Sequence, residues 1–195
     1  KGKRAGMPVY QLLGGRCREA AAVYVHAGGG SPEEVADEIR RFAAEGYRYV
    51  RAQMGGYGGS PTQLRKPEGA PAGAYYDPRE YVLTHLRLFE HLRAELGLEV
   101  ELLHDIHERL YPAEAVGFAR DMERFQLFFL EDPFAPEDIA WFRNLREQCS
   151  TPLAMGELFT HPREWTPLLE DRLIDFVRMH ISAMGGLTPA RDVAA

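Results

Sequence analysis

The sequence has only two cysteines in 195 residues, Cys17 and Cys149, which stand far apart. Neither belongs to a Cys-x-x-Cys pair, so we expect reduced, structural thiols rather than a disulfide framework. The chain also lacks any apolar run near the roughly 20 residues of a transmembrane helix, and its basic start at Lys1–Arg4 is not followed by an apolar signal-peptide core. We therefore expect a cytoplasmic protein that does not enter a membrane.

Clusters of lysine and arginine are missing as well. The chain carries 23 Lys and Arg against 29 Asp and Glu, which gives a formal net charge of -6. Nucleic-acid binding depends on neutralising phosphates with cationic side chains, so this balance argues against a nucleic-acid partner. The remaining composition, 45% hydrophobic and 27% charged, is typical of a globular protein that buries a sizeable core.

Three short stretches each place a carboxylate at the end of an apolar, strand-like run. The acids are Asp105, Glu131 and Glu157, spaced at equal steps of 26 residues. One strand with its crossover helix takes about 30 residues, so the spacing predicts neighbouring parallel strands that bring the three acids to one point. Such acids repel one another unless a cation lies between them. Oxygen ligands without zinc-like Cys or His spacing favour Mg2+, which we predict as the cofactor.

The rest of the chain alternates strand and helix patterns. We predict strands over 21–27, 47–53, 98–107, 127–132, 152–157 and 175–182, and helices that begin near Pro32, Pro78, Pro112, Pro136, Pro162 and Thr188. Six strands, each followed by a helix, predict an α/β fold with a parallel sheet wrapped by helices. A complete (β/α)8 TIM-type barrel takes about 250 residues, so we interpret residues 1–195 as a partial (β/α) barrel catalytic domain of about six βα units.

An open doubly wound sheet is the alternative to a barrel. Such sheets often bind dinucleotides through a G-x-G-x-x-G turn after the first strand. Gly28-Gly29-Gly30 follows the first predicted strand here and lacks that spacing. The sequence therefore favours the barrel.

Side chains beside the acids are candidates for catalysis. His107 lies two residues after Asp105, so in a strand both point to the same face, and a histidine there can act as a general acid because it titrates near neutral pH. Arg51 and Gln53 follow the same two-residue rule at the end of the second strand. On spacing alone, a core histidine and a structural ion pair remain open alternatives to these roles.

A Gly/Pro-rich segment at 54–77 follows the second strand. A loop of that length in a compact domain is usually functional, and we predict an active-site loop. Tyr57 stands near its start, where a neighbouring Arg51 would lower the pKa of the phenol below its usual value of about 10 and favour a phenolate base. Tyr75 and Tyr76 remain alternative bases.

These residues together resemble the enolase superfamily, and most closely its mannonate dehydratases and related acid-sugar dehydratases. The motifs that carry the resemblance are the three acids, Arg-Ala-Gln at 51–53 and Asp-Ile-His at 105–107. The resemblance implies Mg2+ held by the acids, a tyrosine base paired with Arg51, and substrate contacts from His26, Gln53 and Arg178. Members of the family also carry a capping domain before the barrel and further strands after the sixth, with a second catalytic histidine and another acid. We expect the sequence to represent only part of that fold.

The implied chemistry is removal of a proton next to a carboxylate, with a divalent ion stabilising the enolate. Tyr57 with Arg51 would take the C2 proton, and His107 would assist loss of the C3 hydroxyl. We predict a Mg2+-dependent hydro-lyase that acts on a six-carbon aldonic acid. D-mannonate is the first substrate candidate, and the product would be 2-keto-3-deoxy-D-gluconate. Its partners would be the small-molecule acid sugar and further copies of itself in a homo-oligomer. The alternatives are another acid-sugar dehydratase or epimerase, for example on D-gluconate, and a catalytically weak metal-binding regulator or scaffold on the same fold.

Overall fold

The structure, a computed structural model, describes residues 1–55, 68–69, 71 and 76–195. Six strands form one parallel sheet in the order β1-β2-β3-β4-β5-β6. The strands are β1 Tyr24–Gly29, β2 Tyr49–Met54, β3 Glu101–Asp105, β4 Phe129–Glu131, β5 Leu153–Met155 and β6 Phe176–Val177. Spatial order follows chain order without a reversal, which is the arrangement of a (β/α) barrel and not of a doubly wound sheet. The predicted α/β class and the six strands are confirmed.

Among the described residues, two short helices precede β1, five α-helices connect successive strands, and one helix follows β6. They are α1 Gly2–Ala5, α2 Val9–Leu12, α3 Pro32–Ala44, α4 Pro78–Leu96, α5 Pro112–Met122, α6 Ile139–Gln148, α7 Pro162–Glu170 and α8 Leu187–Ala194. The helix start predicted near Pro136 is wrong by three residues, because residues 135–138 form a turn in which the Asp138 N–H donates to the Ala135 carbonyl at 3.0 Å. Across the described ranges, no helix combines the length and the apolar character that crossing a bilayer requires.

Local side-chain contacts explain where the helices begin. At α3, the Ser31 hydroxyl accepts a hydrogen bond from the Glu34 N–H at 3.3 Å, and the Glu34 carboxylate accepts one from the Gly30 N–H at 2.6 Å. This reciprocal capping satisfies backbone donors that the first helical turn leaves open, and Pro32 suits the first position because it has no N–H to lose. The helix therefore begins immediately after β1.

The sheet divides the apolar residues between its two faces. Val50, Leu102 and Leu130 are fully buried in the main core, which also includes residues of the helices. The alternate residues Leu103 and Phe129 belong to a second cluster with other strand residues. Because side chains alternate along a strand, this second cluster lines the interior of the partial barrel. The strand ends above it carry the charged residues.

β3 and β4 end earlier than predicted because the backbone turns sharply after them, whereas β1 and β2 extend to Gly29 and Met54, slightly beyond their predicted ends. His107, Glu108 and Asp132 have positive φ values of 53°, 48° and 45°, a left-handed conformation that non-glycine residues adopt at some cost. Backbone hydrogen bonds hold the turn, including one from the Ile106 N–H to the Glu131 carbonyl at 2.9 Å. The turns redirect the side chains that follow β3 and β4.

Candidate active site

The three predicted acids lie at or just after the carboxyl ends of neighbouring strands. Asp105 and Glu131 are register partners at the ends of β3 and β4, and Glu157 lies two residues after β5. Asp105 and Glu131 are fully buried, whereas the Glu157 side chain is 26% exposed. Arg178 follows β6 directly. This is the end of the sheet at which barrel enzymes bind substrates.

Arg51 lies between the acids and β1. Its side chain is buried, and Nη1 forms an ion pair with Asp105 Oδ2 and lies 3.7 Å from Glu131 Oε1. Nη2 lies 3.3 Å from Nδ1 of His26. Burial, followed by the charge of Arg51, lowers the pKa of the His26 imidazole. Gln53, farther along β2, is 4% exposed, and its Nε2 makes no hydrogen bond within the described part of the chain, so it offers a donor at the same strand end.

Asp105 is held by the histidine that follows it. The His107 backbone N–H donates to Asp105 Oδ1 at 2.9 Å, and His107 Nε2 lies 2.9 Å from Oδ2. Burial favours a protonated Asp105 carboxyl, but the contacts with His107 and the charge of Arg51 outweigh burial, so the pKa of Asp105 lies below its usual value. Asp105 is therefore a carboxylate bound to two other predicted site residues.

Arg178 brings a second guanidinium to the acids. Its Nη1 contacts Glu131 Oε1 and lies 3.4 Å from Glu157 Oε2 and 3.9 Å from Asp132 Oδ2. Burial tends to lower the pKa of Arg178, but the charges of Glu131 and other acidic neighbours outweigh it and raise that pKa. A cationic atom thus already lies between Glu131 and Glu157.

Asp132 joins the acids although the sequence did not single it out. One oxygen each from Asp105, Glu131 and Asp132 lie within 4.8 Å of one another, and both Asp132 oxygens lack a hydrogen-bond partner within the described residues. Strand alternation would send Asp132 to the face opposite Glu131, but its left-handed φ ends that alternation. Its position immediately after Glu131 was the only sequence signal for it.

The acids fit a divalent cation. Burial, followed by the charge of Asp105, raises the pKa of Glu131 to about 8 and that of Asp132 to about 9. Burial and the neighbouring acids together therefore outweigh the effect of the arginines on Glu131. An all-oxygen set of donors suits a hard ion such as Mg2+. Asp105 and Glu131 are candidate ligands for such an ion, and the third candidate is either Glu157, as predicted, or Asp132, which has an oxygen within 4.8 Å of theirs.

Tyr24 is a second residue that the sequence reading missed. Its hydroxyl donates to Glu131 Oε2 at 3.1 Å, and its ring stacks on His26 with 5.5 Å between centroids. Burial, reinforced by the Glu131 charge, raises the pKa of the Tyr24 phenol, so it stays protonated. Tyr24 lies two residues before His26 on one strand, and the rule that linked Asp105 to His107 would have found it.

Of the three candidate bases, the structure describes Tyr76. Tyr57 and Tyr75 lie outside the described residues, as does most of the predicted loop at 54–77. Tyr76 is described, and burial raises the pKa of its phenol to about 12 although Arg109 acts in the opposite direction. A phenolate base requires the opposite shift, so Tyr76 in this setting is a poor base.

A buried polar network supports the site from the helix side of β2 and β3. His104 Nδ1 lies 3.0 Å from the Ala52 carbonyl, which assigns the proton to Nδ1, and Nε2 then accepts from the Tyr81 hydroxyl at 2.9 Å. Both side chains are buried. The network ties α4 to the backbone between Arg51 and Gln53, and to the residue before Asp105.

One family profile and several known proteins match this chain. A family profile described as enolase C-terminal domain-like matches residues 34–195. A D-galactonate dehydratase family member from Salmonella enteritidis is 50% identical over 100% of this chain and 50% of its own length. A D-mannonate dehydratase from a Caulobacter species is 41% identical over 100% of this chain and 51% of its own. The crystal structure of an enolase from Pantoea ananatis with bound D-gluconate and Mg superposes with a TM-score of 0.90 and 49% identity, over 99% of this chain and 51% of that one. The chain spans about half the length of the curated relatives it matches.

Proposed function

This chain belongs to the enolase C-terminal domain-like family, and from that premise we propose that it forms part of a Mg2+-dependent dehydratase of six-carbon aldonic acids. The observation that carries the proposal is the position of Asp105. Its carboxylate, at the end of β3, contacts both Arg51 and His107 and lies beside Glu131. A candidate metal ligand, the partner of the expected base and the expected acid are therefore joined at one point.

Asp105, Glu131 and Glu157 would hold the ion. Glu157 is the preferred third ligand because it is partly exposed at the open end of the sheet, where a substrate carboxylate has access, whereas Asp132 is fully buried. An Mg2+ ion held by these residues would stabilise the negative charge that develops beside the substrate carboxylate as the enolate forms. Arg51 and Arg178 add fixed positive charge that holds an anionic sugar acid in place.

Two side chains would move protons. Tyr57, with Arg51 stabilising its phenolate, would take the proton from C2. His107 would hold the proton that the departing C3 hydroxyl needs, since a histidine exchanges protons near neutral pH. Loss of water gives an enol that becomes a 2-keto-3-deoxy acid. His26 and Gln53 would bind the sugar hydroxyls, since the Nε2 donor of Gln53 has no hydrogen-bond partner among the described residues.

D-mannonate is the first substrate candidate, and a relative 41% identical to this chain is named a D-mannonate dehydratase. D-gluconate is the second, because a structure 49% identical to this chain contains it together with Mg. The two acids differ only in configuration at C2 and give the same product after dehydration. The face of C2 that the base reaches would therefore decide between them.

The test is incubation of the purified protein with Mg2+ and separate aldonic acids: D-mannonate, D-gluconate and D-galactonate. We expect one of the first two to yield a 2-keto-3-deoxy acid, and chelation of the metal to stop the reaction. Tight Mg2+ binding without turnover of any acid would instead favour the metal-binding regulator. Epimerisation without loss of water would favour the epimerase. Assembly into a homo-oligomer stays a prediction, which the mass of the purified protein in solution would test.

A further inference from the structure

The side chain of Tyr24 connects two strands that are not neighbours. Its hydroxyl, from β1, donates to Glu131 Oε2 on β4 at 3.1 Å. β2 and β3 lie between these strands in the sheet, so the bond crosses the interior of the curved sheet. It joins the first residue of β1 to the acid that ends β4.

The Tyr24 ring is fixed on several sides. It stacks on His26 with 5.5 Å between centroids and an angle of 27°, and it meets Phe129 edge-on at 5.9 Å and 84°. The guanidinium carbon of Arg178 lies 5.7 Å from the ring centroid, within range of a cation–π contact. A ring packed in this way has little freedom to swing its hydroxyl away from Glu131.

The two oxygens of Glu131 have different partners. Oε2 accepts from Tyr24, whereas Oε1 contacts Arg178 and lies 3.7 Å from Arg51 Nη1. The two oxygens are chemically equivalent, so a half-turn about the last carbon–carbon bond of Glu131 changes nothing, but a smaller rotation would tilt the carboxylate plane. The Tyr24 hydrogen bond fixes that plane, so that the oxygen opposite the phenol faces the other charged groups of the site.

We propose that Tyr24 is a positioning residue of the metal site, which holds the Glu131 carboxylate so that Oε1 is presented to Mg2+. This inference rests on the proposed function, because that function assigns Glu131 to the metal. Tyr24 acts through Glu131 and not on the substrate. Hydrogen-bond partners of metal ligands typically contribute about 10- to 100-fold in metal affinity, and we expect an effect of that size.

The test compares Tyr24→Phe with Tyr49→Phe. Tyr49 is the register partner of Tyr24 on β2, and its ring packs on Phe128 with 4.6 Å between centroids, so the control removes a hydroxyl from the same layer of the sheet. Mg2+ is titrated into each purified protein by calorimetry. We expect the Kd for Mg2+ to rise about 10- to 100-fold in Tyr24→Phe and to stay unchanged in Tyr49→Phe.

A second pair of variants, in which Glu131→Asp is the parent protein, tests whether Tyr24 acts through Glu131. Glu131→Asp keeps the charge but shortens the side chain by one methylene and withdraws it from the phenol. Adding Tyr24→Phe to this variant should then change the Mg2+ affinity little, as expected for two residues that share one interaction. An equal loss in both backgrounds would overturn the assignment to Glu131.

The remaining outcomes separate this inference from the proposed function. If the unsubstituted protein binds Mg2+ and Tyr24→Phe binds it equally well, only the positioning role is wrong. A lower melting temperature of metal-free Tyr24→Phe with unchanged Mg2+ affinity would likewise make Tyr24 merely structural. Failure of the unsubstituted protein to bind Mg2+ would overturn the metal assignment and the positioning role together.

Discussion

His107 holds both oxygens of Asp105, with its backbone N–H 2.9 Å from Oδ1 and its Nε2 2.9 Å from Oδ2. A single residue, Ile106, separates them in the chain. The left-handed backbone at His107, with φ of 53°, accompanies this close contact. Because the expected acid and an expected metal ligand share one carboxylate, changes at either residue should affect the other.

The first prediction separates the roles of base and acid. Tyr57→Phe should abolish both dehydration and exchange of the C2 proton with deuterated solvent, because the enolate can no longer form. His107→Asn should stop dehydration but leave some exchange, because the enolate can form and be reprotonated. General acid–base groups typically contribute about 100- to 10,000-fold, and losses of that size are expected for dehydration in both variants.

Proton exchange followed by NMR measures both steps. Exchange that persists in Tyr57→Phe and vanishes in His107→Asn would reverse the two roles. Full activity of Tyr57→Phe would move the base elsewhere. Of the remaining alternatives, Tyr75 would be tested before Tyr76, whose pKa of about 12 is unfavourable for a base.

The second prediction identifies the third metal ligand. Glu157→Gln should weaken Mg2+ binding more than Asp132→Asn does, because Glu157 lies at the open end of the sheet and Asp132 is fully buried. Each change replaces a carboxylate by an amide of nearly the same size, so the two variants are matched. A larger loss of affinity in Asp132→Asn would assign the ligand role to Asp132.

The third prediction concerns pH. The pKa values of Glu131 and Asp132, about 8 and about 9, exceed those of the unfolded chain, so between about pH 4 and pH 9 the folded state binds more protons. The free energy of unfolding of the metal-free protein should therefore fall as pH rises through this window. Mg2+ should displace these protons, so its affinity should increase over the same range.

Melting temperatures at pH 6, 7 and 8, with and without Mg2+, measure this linkage. The stabilisation by Mg2+ should be larger at pH 8 than at pH 6. Asp132→Asn should show a smaller decline of metal-free stability with pH than the unsubstituted protein. An equal decline in both would mean that Asp132 does not carry the extra proton.

Much of the fold was predictable because its signals are local. Helix starts at Pro32, Pro78, Pro112 and Pro162 follow from capping residues and a fixed proline φ, and the chain order of elements alone specified a parallel sheet. The ends of β3 and β4 were predicted too late because the left-handed turns at His107, Glu108 and Asp132 contain no glycine that would have indicated them.

The site was predictable where residues share a strand face and less so where contacts cross the sheet. Arg51 and Gln53 obey the two-residue rule within β2, whereas His107 lies beyond the end of β3 and contacts Asp105 because of the left-handed turn. Tyr24 obeys it too, relative to His26, but its importance comes from Glu131, 107 positions away in the chain. No local pattern encodes a contact across the interior of a barrel. Asp132 was not predicted as a site residue for another reason: a backbone turn redirects its side chain toward the other acids.

The fourth prediction concerns the buried network behind β2 and β3. Tyr81→Phe removes the donor to His104 Nε2 and leaves that nitrogen buried without a partner, which typically costs about 1–3 kcal/mol. Tyr111→Phe, at a residue that is 73% exposed, is the control and should leave the free energy of unfolding unchanged. Urea denaturation of the two variants measures the difference, and equal stability would show that the network contributes little.

The central claim is that the acids at the strand ends form a Mg2+ site, and Glu131→Gln tests it most directly. Glu131 belongs to the site whether Glu157 or Asp132 is the third ligand, and the change removes its charge while keeping its shape. Calorimetric titration of Mg2+ should show a Kd at least about 100-fold higher in the variant, since partners of ligands alone contribute up to about that much. Equal Mg2+ affinity in the variant and the unsubstituted protein would contradict the account.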